Sequence, residues 1–99
     1  MTQPNMSLSG MRAWLQTEAF ASYRTYRGSQ TVSTVTRRTL RVLSDDAGTQ
    51  SQEKVERYLA RAVAAYREQG AGQRKHNGVA RNVCALRNWG YDPYYSFTD

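Results

Sequence analysis

The 99-residue sequence predicts a compact all-α bundle of four main helices. Apolar residues recur in several segments at the i, i+3, i+4, i+7 spacing of an amphipathic helix. Short stretches rich in glycine and hydroxyl side chains separate these segments. No segment alternates apolar and polar residues as a half-buried strand does. A chain of this length builds one domain around one modest core, so we expect a flexible leader (1–7), a helical domain (8–90) and an aromatic tail (91–99).

The first helix is predicted over residues 8–20, with Ser7 or Ser9 as its N-cap. The phase of the apolar pattern shifts from Phe20 onward, which indicates a bend or an end there, and Gly28 closes the segment. Its apolar face consists of Leu8, Met11, Trp14 and Leu15.

The second helix, within Thr31–Gly48, has the most regular pattern in the chain. Thr31 or Ser33 is its expected cap, and Gly48 is expected to supply the left-handed residue at its end. Its opposite face carries arginine and no acidic residue, which makes it a candidate surface for a polyanion. The face predicted to be buried is Val32, Val35, Thr36, Thr39, Leu40 and Leu43. The opposite face is Thr34, Arg37, Arg38 and Arg41.

The third helix starts at Thr49 or Ser51 and ends at the glycines near residue 70. Its outer face mixes both signs of charge, so this helix is expected to be structural. Its predicted buried face is Val55, Tyr58, Leu59, Ala62, Val63 and Tyr66.

The fourth helix is predicted over residues 73–89 and is again free of acid, since no acidic residue lies between Glu68 and Asp92. Val79, Val83 and Leu86 form its core stripe. Arginine binds guanine edges or phosphates and asparagine binds adenine edges, so this helix is a second candidate for DNA contact. Its polar positions are Arg74, Lys75, Asn77, Arg81, Arg87 and Asn88.

The net charge of +6 concerns partners rather than fold. Phosphate backbones and acidic membranes both fit it, and the dominance of arginine favours phosphate, because a guanidinium binds two oxygens at once. We therefore expect binding of double-stranded DNA. The expected contact residues are Thr34, Arg37, Arg38, Arg41, Arg74, Lys75, Asn77, Arg81, Arg87 and Asn88.

Catalysis is not expected, because no constellation of reactive residues is visible. The only histidine, His76, is interpreted as a surface or phosphate-contacting side chain, and the single cysteine, Cys84, as a small half-buried apolar residue. No cofactor, metal site, transmembrane run or signal peptide is indicated, and a cytoplasmic protein is expected.

The tail is too aromatic for a plain disordered segment. It either packs back on the domain or docks on a partner or a second copy of the chain. Two alternatives to DNA binding stay open. One is a small dimerising or protein-interaction factor that uses the tail. The other is an RNA-binding module, since phosphate contacts alone do not distinguish RNA from DNA. The tail residues in question are Tyr91, Tyr94, Tyr95 and Phe97.

The order of helices resembles the N-terminal core-binding domain of tyrosine recombinases and phage integrases, over about residues 8–90. The segments TVSTVTRRTLRVL, SQEKVERYLARAV and RKHNGVARNVCALRNW are similar to its second, third and fourth helices. The last segment shares the family's ending at Ala85, Leu86, Arg87 and Trp89. The resemblance implies a SAM-like helical fold that clamps one face of a DNA duplex, with helices two and four in contact with it.

The recombinase catalytic domain, with its arginine, His-x-x-Arg and nucleophilic tyrosine, has no counterpart here. His76 is followed by Asn77, Gly78 and Val79 and does not form that motif. The resemblance therefore implies DNA binding in recombination or integration without catalysis, as a domain of a longer recombinase or as a stand-alone relative associated with the nucleoid.

Overall fold

A computed structural model describes residues 2–94 of the chain. In this range the chain forms five helices and one short hairpin. In chain order they are α1 (Leu8–Leu15), α2 (Glu18–Arg27), α3 (Ser29–Leu43), α4 (Thr49–Gln69), β1 (Lys75–His76), β2 (Val79–Ala80) and α5 (Arg81–Asn88). The fold is thus mostly helical, as predicted. None of the described helices is both long and apolar enough to cross a membrane.

The predicted first helix is two helices, because Thr17 both ends α1 and starts α2. Its hydroxyl donates to the Trp14 carbonyl at 2.7 Å and accepts the Phe20 N–H at 3.2 Å. Ser7, one of the two expected caps, accepts the Gly10 N–H at 3.0 Å and starts α1. The break brings the rings of Trp14 and Phe20 into an edge-to-face contact at 5.8 Å.

The buried faces of α3 and α4 agree with the sequence pattern, but the predicted ends of α3 are wrong. α3 starts at Ser29 after Gly28, whose φ is 110°, and has no side-chain cap. The left-handed residue after α3 is Asp45, with φ of 58°, and Gly48 has an ordinary φ of −71°. Aspartate tolerates this conformation because its side chain bonds locally. Gly70 ends α4 at φ of 70°, as expected.

The predicted fourth helix is wrong over residues 73–80, where the chain forms the hairpin instead. Asn77 and Gly78 have φ of 49° and 86°, which is the two-residue turn that matches the twist of paired strands. Lys75 pairs with Ala80, and His76 with Val79. The Asn-Gly pair was the available signal. The helix therefore begins only at Arg81.

Residues 5–7, which fall within the expected flexible leader, are part of the fold. The N–H groups of Asn5 and Met6 donate to the Gly90 carbonyl at 3.1 and 3.0 Å. The Asn5 side chain accepts the Asp92 N–H at 2.7 Å and donates to its carbonyl at 3.0 Å. Met6 is buried in the core beside Met11. The start of the chain is thus held against the segment after α5.

The first part of the aromatic tail packs on the domain, which is one of the two expected outcomes. Tyr91 packs against the α4 side of the core and Asp92 is buried. Tyr94 meets the edge of Tyr66 and stays 53% exposed. Tyr95 and Phe97 lie outside the described residues.

Helix α5 lies between two core clusters. Cys84 packs with residues of α1, α2 and α3, including Trp14, while Leu86 packs with Val55 and Leu59 of α4. A helix of eight residues that is covered on both sides has little surface left for solvent. This position decides which of its polar residues can meet a partner.

Candidate nucleic-acid interface

The arginine face of α3 lies on the surface as the sequence predicts. Arg37 and Arg41 are exposed. Arg38 is half-buried and lines a polar depression of about 400 Å³ with the first turns of α4. Thr34 is exposed as well, but its hydroxyl donates to the Gln30 carbonyl at 2.9 Å, so its proton is used within the helix. The other residues of the depression are Gln50, Ser51, Glu53, Lys54 and Arg57.

Among residues 2–94, no acidic side chain forms an ion pair with an arginine of this face. Over residues 2–94, the one ion pair joins Arg87 and Asp92, neither of which belongs to α3. No acidic residue occurs between Glu18 and Asp45 in the sequence. The guanidinium groups of α3 are therefore available to an external anion.

Arg87 and Asn88 were predicted to contact DNA, and the structure places both in the interior instead. Arg87 is 4% exposed, donates from Nε to Asp92 Oδ1 at 3.3 Å, and lies 5.1 Å from the ring centre of Trp14. The Asn88 Oδ1 atom accepts from the Thr36 hydroxyl at 2.6 Å. Both residues face the core clusters because α5 is covered on both sides. Their hydrogen bonds therefore connect parts of the domain to one another.

Arg74 and Arg81 lie together, but with α2 rather than with α3. They line a groove of about 440 Å³ that we call the Tyr26 groove. Lys75 and Asn77 are exposed on the adjoining hairpin. The remaining residues of the Tyr26 groove are Tyr23, Tyr26, Arg27, Gly72, Gln73, Asn82 and Ala85.

Asn82 fixes the loop that carries Arg74. Its Oδ1 accepts the Gly72 N–H at 3.0 Å and its Nδ2 donates to the Gly70 carbonyl at 2.9 Å. The Arg81 N–H also donates to the Arg74 carbonyl at 2.8 Å. This wall of the groove is thus held by bonds to α5.

His76 is buried, which corrects its interpretation as a surface residue. It is 6% exposed and lies beside the rings of Tyr23 and Tyr26. Arg81 Nε donates to His76 Nε2 at 3.0 Å, so Nδ1 carries the proton and donates to the Ser22 hydroxyl at 3.0 Å. Burial and, to a smaller degree, the Arg81 charge lower the pKa of His76.

We expect this histidine to make the fold less stable in mild acid. Because its pKa is below 6.5 in the folded state, the unfolded chain takes up the proton first as the pH falls. The free energy of unfolding is then highest above pH ~6.5. It decreases as the pH falls below that value, by at most about 1.4 kcal/mol per pH unit, until the pH reaches the pKa of the folded state. Urea unfolding at a series of pH values should show this slope in the natural chain and lose it in His76→Gln. An equal slope in both chains would contradict the assignment.

The aromatic residues of this region were not among the predicted contact residues. Tyr23, Tyr26 and Arg27 come from one stretch of α2, where the spacings of three and four residues put them on one side of the helix. An adjoining cavity of about 190 Å³ extends from Tyr23 and Arg27 to Tyr58 and Trp89, whose rings stack at 4.2 Å. Burial raises the pKa of Tyr58, and the nearby charges of Arg27 and then Arg61 oppose that rise. The sequence signal for this aromatic and basic surface is the Tyr-Arg-Thr-Tyr-Arg run at 23–27.

The single cysteine lies in the core, close to its predicted role. Cys84 is buried, and burial raises its pKa to about 11, so the thiol acts as an apolar group. Residues 2–94 hold no group of three or more metal-ligating side chains.

No protein-family model, curated protein or solved structure matches the chain. The exposed cations of α3, the first turns of α4 and the Tyr26 groove are the candidate surfaces for an anionic partner.

Proposed function

We propose that this protein binds double-stranded DNA, chiefly through the phosphate backbone, with Arg37, Arg38 and Arg41 at the centre of the contact. The observation that carries the proposal is the exposed, acid-free arginine face of α3, which has no ion-pair partner among residues 2–94. Cations that neutralise phosphates release condensed counterions, and this release drives binding. The same face at low salt also attracts DNA at long range.

The start of α4 extends this surface. Arg38 shares its depression with Lys54 and Arg57, while Glu53 on the same rim reduces the positive charge there. α4 begins after Gly48 with no side-chain cap, so the positive end of its helix dipole adds to the attraction for an anion. Phosphate oxygens fit such a combination of guanidinium and helix N-terminus.

The biological role proposed here follows the family resemblance of the sequence. We infer a SAM-like arrangement of the helices and a role as the core-binding domain of a tyrosine recombinase or integrase, or as its stand-alone relative, acting at the nucleoid without catalysis. Of the contacts expected from the fourth helix, Arg87 and Asn88 drop out because they are buried. Arg74, Lys75 and Asn77 stay in the proposed contact set as exposed groups.

An NMR titration with random-sequence duplex DNA tests this proposal. We expect the largest amide shifts within residues 34–41 and at the first turns of α4, and weaker shifts for a structured RNA of equal charge. The amides of Met11 and Trp14 serve as an internal reference, since both residues are fully buried. No shifts with duplex DNA, or tighter binding of the RNA, would overturn the proposal.

A further inference from the structure

The Tyr26 groove combines an exposed aromatic ring with a fixed guanidinium. Tyr26 is 56% exposed, and the Arg81 guanidinium carbon lies 3.6 Å from its ring centre. Arg81 cannot turn away freely, because its Nε donates to the buried His76. The stacked pair is a flat, positively charged platform.

The charges around this platform all have one sign. Arg27 and Arg74 line the groove with Arg81, and no acidic side chain is among the lining residues. Gln73 adds an exposed amide that can both donate and accept hydrogen bonds. The groove therefore suits a ligand that is flat at one end and strongly anionic at the other.

A volume of about 440 Å³ lies in the range of small-molecule sites. An unpaired nucleotide has the required chemistry, because its base stacks on an aromatic ring and its phosphate binds arginine. An acidic peptide matches the charge but leaves the stacking platform and the amide without a specific role.

We propose that the Tyr26 groove binds an unpaired nucleotide of a DNA strand, with the base stacked on the pair formed by Tyr26 and Arg81 and the flanking phosphates on Arg27 and Arg74. This inference rests on the proposed DNA binding and shares Arg74 with the proposed duplex contacts, but its other residues are separate from the arginine face of α3. Stacking tolerates every base, so the groove selects strand structure and not sequence. A duplex with a single-stranded end would then engage both surfaces at once.

Binding of a labelled short oligothymidylate, followed by fluorescence anisotropy, tests the groove. We expect Tyr26→Leu to weaken binding by about tenfold, the loss typical of one stacked base. Tyr94→Leu is the matched control, since Tyr94 is the other exposed large aromatic residue among those described and lies outside the groove. Arg74→Ala, an exposed position, should also weaken binding and guards against an effect of Tyr26 on folding.

Four results would overturn the groove assignment. They are absence of oligothymidylate binding, equal affinities of the Tyr26 and Tyr94 variants, equal binding of an abasic oligonucleotide of the same length, and stronger competition by an acidic tyrosine-containing peptide. Duplex DNA binding through α3 should be the same in Tyr26→Leu and in the natural chain. A failure of the groove is thus distinguishable from a failure of the proposed duplex binding.

Discussion

Replacing Arg87 by methionine should lower the free energy of unfolding by about 3–5 kcal/mol, the usual loss when one member of a buried ion pair is removed. Asp92 is fully buried, and the variant leaves its carboxylate in the core without the guanidinium. The Asp92 backbone is bonded to Asn5, so disturbance here also loosens the start of the chain. Since domains of this size are stable by only about 5–15 kcal/mol, urea unfolding followed by circular dichroism will detect the change readily.

Two companion variants separate burial of charge from loss of an arginine. Arg37→Met removes an exposed guanidinium and should change stability by no more than about 0.5 kcal/mol. The double variant Arg87→Met with Asp92→Asn should be more stable than Arg87→Met alone, because no uncompensated charge stays buried. A fully stable Arg87→Met chain would show that Arg87 does not hold the interior together.

Replacing Arg37, Arg38 and Arg41 together by alanine should weaken duplex DNA binding by about 500-fold at ~0.1 M salt. The estimate assigns one phosphate contact to each arginine. Log affinity depends on log salt concentration by about 0.9 per contact, so three contacts change log affinity by about 2.7 for a tenfold change in salt. The fold should persist, because Arg37 and Arg41 are exposed and Arg38 is half-buried at a polar depression.

A control with the same loss of charge is available in Arg12, Arg24 and Arg67, which are exposed on α1, α2 and α4. If α3 is the contact, this triple variant should bind duplex DNA much more tightly than the α3 triple variant. Equal losses in the two would mean that net charge alone drives binding, and the assignment to α3 would be wrong.

The periodic apolar pattern correctly predicted the helices that pack on one side. It failed where a side-chain cap or a tight turn determines the local structure. The buried faces of α3 and α4 follow from their spacing, since Val32, Val55 and Leu59 are all in the core. The apolar pattern predicted a bend or an end at Phe20, three residues after the actual break at Thr17, because a side-chain cap that serves two helices leaves no mark on the apolar period. The hairpin was missed although Asn77 and Gly78 are a strong turn signal.

Exposure of the candidate site was predictable only where a helix has one covered face. α3 has such a face, and its arginines are on the surface. α5 is covered on two sides, so a wheel drawn from the sequence assigns Arg87 and Asn88 to solvent when both are buried. The Tyr26 groove joins α2, α5 and the loop before the hairpin, and no local pattern reports that these distant segments meet.

The most direct test measures how log affinity for duplex DNA depends on log salt concentration. The slope is compared between the natural chain and the α3 triple variant, and it decides whether α3 neutralises phosphates. Three lost phosphate contacts should make the slope shallower by about 2.7, with circular dichroism verifying that both chains are folded. Identical slopes in two folded chains would mean that Arg37, Arg38 and Arg41 do not contact the DNA backbone.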